Sequence, residues 1–136
     1  AALVIPGGYS PDKIRSNKQM VEFTRNIFEA AKPVAAICHA GWMLAEAGIA
    51  AGKTLTSYHS IKTDLINAGA RWVDRDVVVD NGLITSRKPA DIPAFNKKMI
   101  EEFAEGRHSR HRLLGPLARR SPDRLPDRGR DRGRLG

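Results

Sequence analysis

The chain has a single cysteine, Cys38, among 136 residues, so it cannot form an internal disulfide or a zinc knuckle that needs two or more cysteines. No apolar run approaches the ~20 residues of a membrane span. No charged segment followed by an apolar stretch opens the chain, so a signal-peptide pattern is missing. The expectation is a soluble, cytoplasmic protein. An excess of one charge is also missing over most of the length. Residues 1–106 hold 13 Lys/Arg against 12 Asp/Glu, and residues 107–136 hold 10 Arg against 3 Asp. The net charge of +8 therefore belongs almost entirely to the last stretch. That excludes a nucleic-acid binder that is basic throughout. Internal repeats are absent, and the length suits one domain rather than two.

Both ends depart from the pattern of a complete domain. The chain opens on the apolar run Ala1-Ala2-Leu3-Val4-Ile5, without a polar lead-in. Termini are usually exposed and loose, so a buried strand rarely starts at the first residue. The expectation is a fragment that lacks its N-terminal part. From Arg107 onward there is no aromatic residue, and the composition collapses to Arg, Pro, Gly, Asp and Leu. Such a tail cannot bury a core and should be disordered. Two readings of it stand open: a basic arm for RNA or acidic surfaces, or the out-of-frame translation of a GC-rich gene.

What lies between the ends alternates strand and helix. Ala2–Ile5 and Val34–Ile37 are short apolar runs of the kind that form buried parallel strands. Ser16 and Gln19 form a capping box, with Met20, Phe23, Ile27 and Ala31 at helical spacing behind it and Pro33 as a stop. Gly41–Ala47 reads as a short helix ended by Gly48, and Thr54–Tyr58 as a third strand. Ile61, Leu65, Ile66 and Ala68 mark a helix closed by Gly69. Val77–Val79 and Leu83–Thr85 flank Asp80-Asn81-Gly82, a strong hairpin signal. A last helix starts near Asp91 as N-cap, with Phe95, Met99 and Phe103 as its core stripe. The order predicts an α/β fold: a mostly parallel sheet with helices on both faces and one antiparallel addition.

Ligands of such sheets bind at the carboxyl ends of the strands. Pro6-Gly7-Gly8 follows the first strand there, and Cys38-His39-Ala40-Gly41 follows the second. A strand that runs into Cys-His and then a helix resembles a nucleophile elbow, which would push the Cys38 sulfur into the cleft. The helix start behind it offers partial positive charge to a thiolate. The N–H groups of Gly7, Gly8 and His39 could then form an oxyanion hole. Against this stands the ordinary reading of a lone cysteine at a strand end, a small core residue.

The stretches Pro6 to Arg15 and Lys32 to His39 closely resemble the PfpI family of intracellular cysteine hydrolases. Thr56 to Asp64, Asn67 to Asp74 and Thr85 to Asp91 resemble the same family in the same order, so the likeness covers about residues 1–106. The resemblance implies a flavodoxin-like three-layer sandwich, incomplete at the N-terminus, within the class I glutamine-amidotransferase-like superfamily. It implies Cys38 as nucleophile, His39 as its imidazole and Asp12 as a carboxylate reaching the His of a neighbouring subunit. It therefore implies a homo-oligomer, a dimer or hexamer. Some members carry Glu at the Asp12 position, one methylene longer. Members have been described as peptidases, deglycases and glyoxalases, which implies peptides, small aldehydes or glycated groups as substrates and a protective role under stress. An acidic residue that hydrogen-bonds the family's Cys belongs to an N-terminal portion that is not in this sequence.

Tyr58 is read either as a half-buried strand-end aromatic or as a wall of the cleft, His59 as a helix-start residue, and Lys62 and Asp64 as a solvated face. Glutaminases of the superfamily need a His-x-Glu pair, and none of His59, His108 or His111 is followed by x-Glu. Neither cofactor nor metal is expected, nor a membrane partner. Two alternatives remain: a redox or stress sensor working through oxidation of Cys38, and nucleic-acid binding by the basic tail.

Overall fold

A computed structural model describes residues 1–106, and the expectations for the tail lie outside these residues. The elements run β1 (Leu3–Ile5), α1 (Ser10–Ile14), α2 (Lys18–Glu29), β2 (Val34–Ile37), α3 (Gly41–Glu46), β3 (Thr54–Leu55), α4 (Lys62–Asn67), β4 (Arg71–Trp72), β5 (Val77–Asp80), β6 (Leu83–Ser86) and α5 (Ile92–Glu105). One-turn 3-10 segments lie at Cys38–Ala40, His59–Ile61 and Pro89–Asp91. Among the described residues no helix is long and apolar enough to cross a membrane.

The main sheet has the order β1-β2-β6-β5, and β3 pairs with β4 in a separate parallel ribbon. β1, β2 and β6 are parallel, whereas β5 is antiparallel to β6. The pleat sends alternate side chains to opposite faces. On one face Ile5, Val34 and Ala36 join Met43 and Leu44 of α3 in the larger core. On the other, Ala35 and Ile84 pack against Phe95 of α5, with Met99 and Phe103 beside them. This gives helix, sheet and helix layers, the mostly parallel α/β sandwich that the element order implies. Leu44, Leu83 and Ile84 are fully enclosed. Each such burial contributes roughly 1.5–3 kcal/mol. β1 lies at the sheet edge, with Val4 45% exposed.

The hairpin forms as its residues dictate. Asn81 and Gly82 both take positive φ, 48° and 81°, the requirement of a type I′ turn. Other boundaries move. The cap of α2 is Asn17, not Ser16: the Asn17 side chain accepts the N–H of Met20 at 3.2 Å. The Ser16 N–H is instead bonded to the Lys13 carbonyl at 3.3 Å, just beyond a short helix, α1, that the sequence pattern did not single out. α2 ends at Glu29, and Ala31 adopts φ 61° beyond it. Met20 and Phe23 are 42% and 52% exposed, because the helix turns Val21, Thr24, Ile27 and Phe28 inward instead. The third strand keeps only Thr54–Leu55, since the Thr56 N–H leaves the ladder to bond Thr85 Oγ1 at 3.0 Å.

Asp91 precedes α5 as expected, but its carboxylate does not cap that helix. It takes the Arg87 guanidinium in a two-pronged pair, Nε–Oδ2 and Nη2–Oδ1 both 2.9 Å, and accepts the Arg87 backbone N–H at 3.1 Å. The carboxylate, 5% exposed, thus ties the end of β6 to the start of α5. Hydrogen bonding from Arg87 holds the Asp91 carboxyl below its usual range, against the opposing effect of burial. A carboxyl depressed in the folded state adds stability above its unfolded value of about 3.9, and loses it as pH falls through the lower folded value. Asp91→Asn should therefore be less stable than the parent in urea at pH 7. The difference should begin to shrink below about pH 4, where Asp91 of the unfolded chain takes up a proton, and should go on shrinking until the folded carboxyl protonates at its lower value. An equal deficit at pH 7 and at pH 2–3 would contradict this.

Candidate active site

The sheet brings the ends of β1 and β2 side by side, with Ile5 opposite Ala36. Gly7 and Cys38 therefore meet just beyond the paired residues. Cys38 is half-buried and has φ 62°, a left-handed conformation that costs a residue with a Cβ ~1–2 kcal/mol. The turn breaks the strand after Ile37 and starts the 3-10 segment that leads into α3. This is the elbow shape that the strand–Cys-His–helix order suggests.

The neighbouring loop makes room for it. A Cβ added to Gly7 would lie 2.9 Å from Cys38 Cβ and 3.6 Å from its Sγ. Only glycine lets the two backbones approach so closely. Gly8 takes φ 76° and faces open space. Among the described residues no hydrogen bond takes the N–H of Gly7 or of Gly8.

His39 stands against the thiol. Its Nδ1 is 3.1 Å from Cys38 Sγ, and its Nε2 is 3.2 Å from Ser60 Oγ. If Nε2–H donates to Ser60, Nδ1 is free to accept the thiol proton. The ring lies between two aromatics, Tyr58 with centroids 4.9 Å apart and Trp42 at 5.1 Å. Tyr58 is thus both half-buried and a wall of the site. Its N–H donates to the Cys38 carbonyl at 3.2 Å, which fixes the next loop to the elbow. Trp42 donates Nε1–H to Asp64 at 2.9 Å and carries the Arg15 guanidinium 5.7 Å from its ring centre. Asp64 and Lys62 are exposed as expected, yet each engages a tryptophan, since Lys62 Nζ lies 5.0 Å over Trp72. His59 opens a 3-10 turn and touches Tyr58, with ring centroids 4.4 Å apart.

Asp12 does not join this group within the chain. It is exposed in the first turn of α1, and among the described residues its carboxylate has no hydrogen bond or ion pair. Sequence reading missed Ser60 and Trp42. Trp42 follows His39 by three residues, a helical spacing that could have signalled the contact, whereas nothing in the spacing of Ser60 points to His39, which it reaches from 21 positions away. Among the described residues no cluster of His, Cys, Asp or Glu could hold a metal ion.

Two outcomes follow from this geometry. Gly7→Ala should slow alkylation of Cys38 by iodoacetamide at least about tenfold, because the elbow must shift to admit the methyl. An unchanged rate with unchanged circular dichroism would refute the close-approach argument. Ser60→Ala should lower the same rate about 2–10-fold by removing one hydrogen bond, with Ser60→Thr restoring it. A loss that Thr does not repair would show Ser60 to act otherwise than through its hydroxyl.

The chain is also similar to proteins already known. The model of the DJ-1/PfpI family matches residues 1–102. A Pyrococcus furiosus protein named deglycase PfpI is 45% identical over 100 residues, covering 74% of this chain and 60% of that protein. Protein/nucleic acid deglycase 2 of Escherichia coli is 46% identical over 100 residues, covering 73% and 58%. The crystal structure of Drosophila melanogaster DJ-1beta superposes with TM-score 0.71 at 35% identity, over 86% of this chain and 63% of that one. The chain thus spans about 60% of the length of the curated relatives it matches. With the family model matching residues 1–102, a stretch that includes the loop after β1 and the elbow after β2, the chain belongs to the DJ-1/PfpI family.

Proposed function

We propose that this chain carries the thiol centre of a PfpI-type cysteine hydrolase that acts on carbonyl groups, with small reactive aldehydes and glycated groups as its substrate class. The observation that carries the reading is the 3.1 Å approach of Cys38 Sγ to His39 Nδ1 on an elbow with φ 62°. A thiol held against an imidazole can pass its proton there and attack as thiolate. The new S–C bond pushes the carbonyl electron pair onto oxygen. The N–H groups of Gly7, Gly8 and His39 are the donors available to that oxyanion. The protonated His39 then returns its proton, to the oxyanion of an aldehyde adduct or to the departing amine of an acyl substrate. The deglycase names of the two relatives favour the aldehyde route. Oxidation of Cys38 as a sensor would use the same sulfur, but the paired imidazole favours proton transfer during turnover. The cytoplasm is the expected place of action.

Asp12 completes the reading only from a second subunit. Its exposure, and the absence of an intrachain partner among the described residues, support a role across an interface in a homo-oligomer. Cys38→Ala should abolish aldehyde turnover, and Asp12→Ala should reduce it by at least about tenfold. Mixing the two variant chains should raise activity above that of the Asp12→Ala chain alone, since some sites would combine an intact Cys38 with an intact Asp12. Turnover that survives Cys38→Ala would overturn the nucleophile assignment. Mixed oligomers without restored activity would overturn the role of Asp12.

A further inference from the structure

A concavity of about 280 Å³ shares Tyr58 with the thiol site but is lined by neither Cys38 nor His39, and the proposed chemistry does not use it. Tyr58 and Trp72 line it as aromatic walls, and Arg87 and Lys88 line it as cations. Asp74 and the exposed His59 stand at the same cavity. We propose that this cavity is a binding site for a small oxyanion carried on a flat apolar group, such as an aryl phosphate, with Arg87 and Lys88 holding the anion and Trp72 the flat portion.

The site is braced from behind. Trp72 Nε1–H donates to Ser57 Oγ at 2.9 Å, and Ser57 Oγ–H donates in turn to the Tyr58 carbonyl at 2.9 Å. The indole is therefore fixed to the same loop that carries Tyr58. Lys62 Nζ lies 5.0 Å from the centre of the same indole ring, although Lys62 does not line the cavity. Arg87 is held more firmly still, because Asp91 takes its Nε and one Nη2 hydrogen from beneath. A guanidinium has five donors in a rigid plane. The pair with Asp91 uses two of them and orients the remainder.

Asp74 shows what the remainder is suited to. Its carboxylate accepts Arg87 Nη1–H at 2.8 Å while remaining 71% exposed. An exposed ion pair is worth little and can be exchanged. An incoming oxyanion would take the place of the Asp74 carboxylate on Nη1 and gain Lys88, whose ammonium makes no hydrogen bond or ion pair among the described residues and feels Asp91 only at longer range. Asp74 then acts as an internal competitor for the site. The volume is close to the lower bound of ordinary ligand pockets, about 300 Å³, and suits one ring with one anionic group.

The test follows the two indole Nε1–H resonances of the full chain by ¹H–¹⁵N NMR, with Trp72 assigned through Trp72→Phe and Trp42 as internal control. Inorganic phosphate, phenyl phosphate, benzoate and phenol are titrated in turn. Phenyl phosphate should shift Trp72 saturably at lower concentration than inorganic phosphate, with Trp42 unmoved. A shift by benzoate would extend the site to carboxylates, and silence with benzoate would restrict it to phosphates; both support an oxyanion site. Asp74→Asn should tighten phenyl phosphate about 2–5-fold and Lys88→Ala should weaken it about 2–5-fold, the scale of one exposed charge pair. Cys38→Ala should leave it unchanged, so failure of the proposed hydrolase would not disturb this result. Arg87 is left intact because it braces Asp91. Equal response to phenol would overturn the proposal. So would a Trp72 that stays silent, affinities unaltered by both charge variants, or parallel shifts of Trp42 that place binding elsewhere, such as on the Arg-rich residues 107–136.

Discussion

The whole site depends on one close contact between backbones, where Gly7 meets the turn at Cys38. A parallel sheet sets the ends of β1 and β2 in register, so the two loops leave the sheet together. If the first loop carried a side chain at Gly7, the elbow could not occupy its position, since a Cβ would sit 2.9 Å from that of Cys38. The left-handed turn at Cys38 is a local cost. It persists because the sheet holds Ile37 on one side and the core holds Ala40, fully buried, on the other.

His39 is held by a different principle. Its two ring nitrogens face two different side chains, and its ring lies between Tyr58 and Trp42. The imidazole thus has restricted rotation without any buried charge beside it. Farther out, the charges are arranged in layers. Asp91 lies buried beneath Arg87, and Asp74 lies exposed beyond it. The inner pair joins β6 to α5, while the outer pair remains open to exchange with solvent. Structural support and a binding surface thereby share one guanidinium.

Several elements were legible because one local signal dominated. Val34–Ile37 reads as a buried strand and is one, since four apolar residues between Pro33 and a turn have no other place to go. Asp80-Asn81-Gly82 specifies its hairpin through the positive φ that Asn and Gly tolerate. Phe95, Met99 and Phe103 meet the sheet as their spacing requires. Local signals in competition were misread. Ser16 and Asn17 are both good caps, and the choice fell to Asn17 once α1 had taken the Ser16 N–H. Met20 and Phe23 fit a helical stripe as well as Val21 and Thr24 do, and only the angle at which α2 meets its neighbours selects between the two.

The sequence by itself determined the layer order, the strand-end position of Cys38 and His39, and the glycines that face them, because those follow from short-range patterns of apolar runs and turn residues. It also carried the family likeness across residues 1–102. Only the tertiary structure decided which groups complete the site. Ser60 comes within 3.2 Å of His39 from 21 positions along the chain, and Asp64 reaches Trp42 from 22. Such pairings depend on how helices and loops converge at the edge of a sheet. No single stretch of sequence encodes that convergence, because each partner is an ordinary polar residue until the fold brings the other to it.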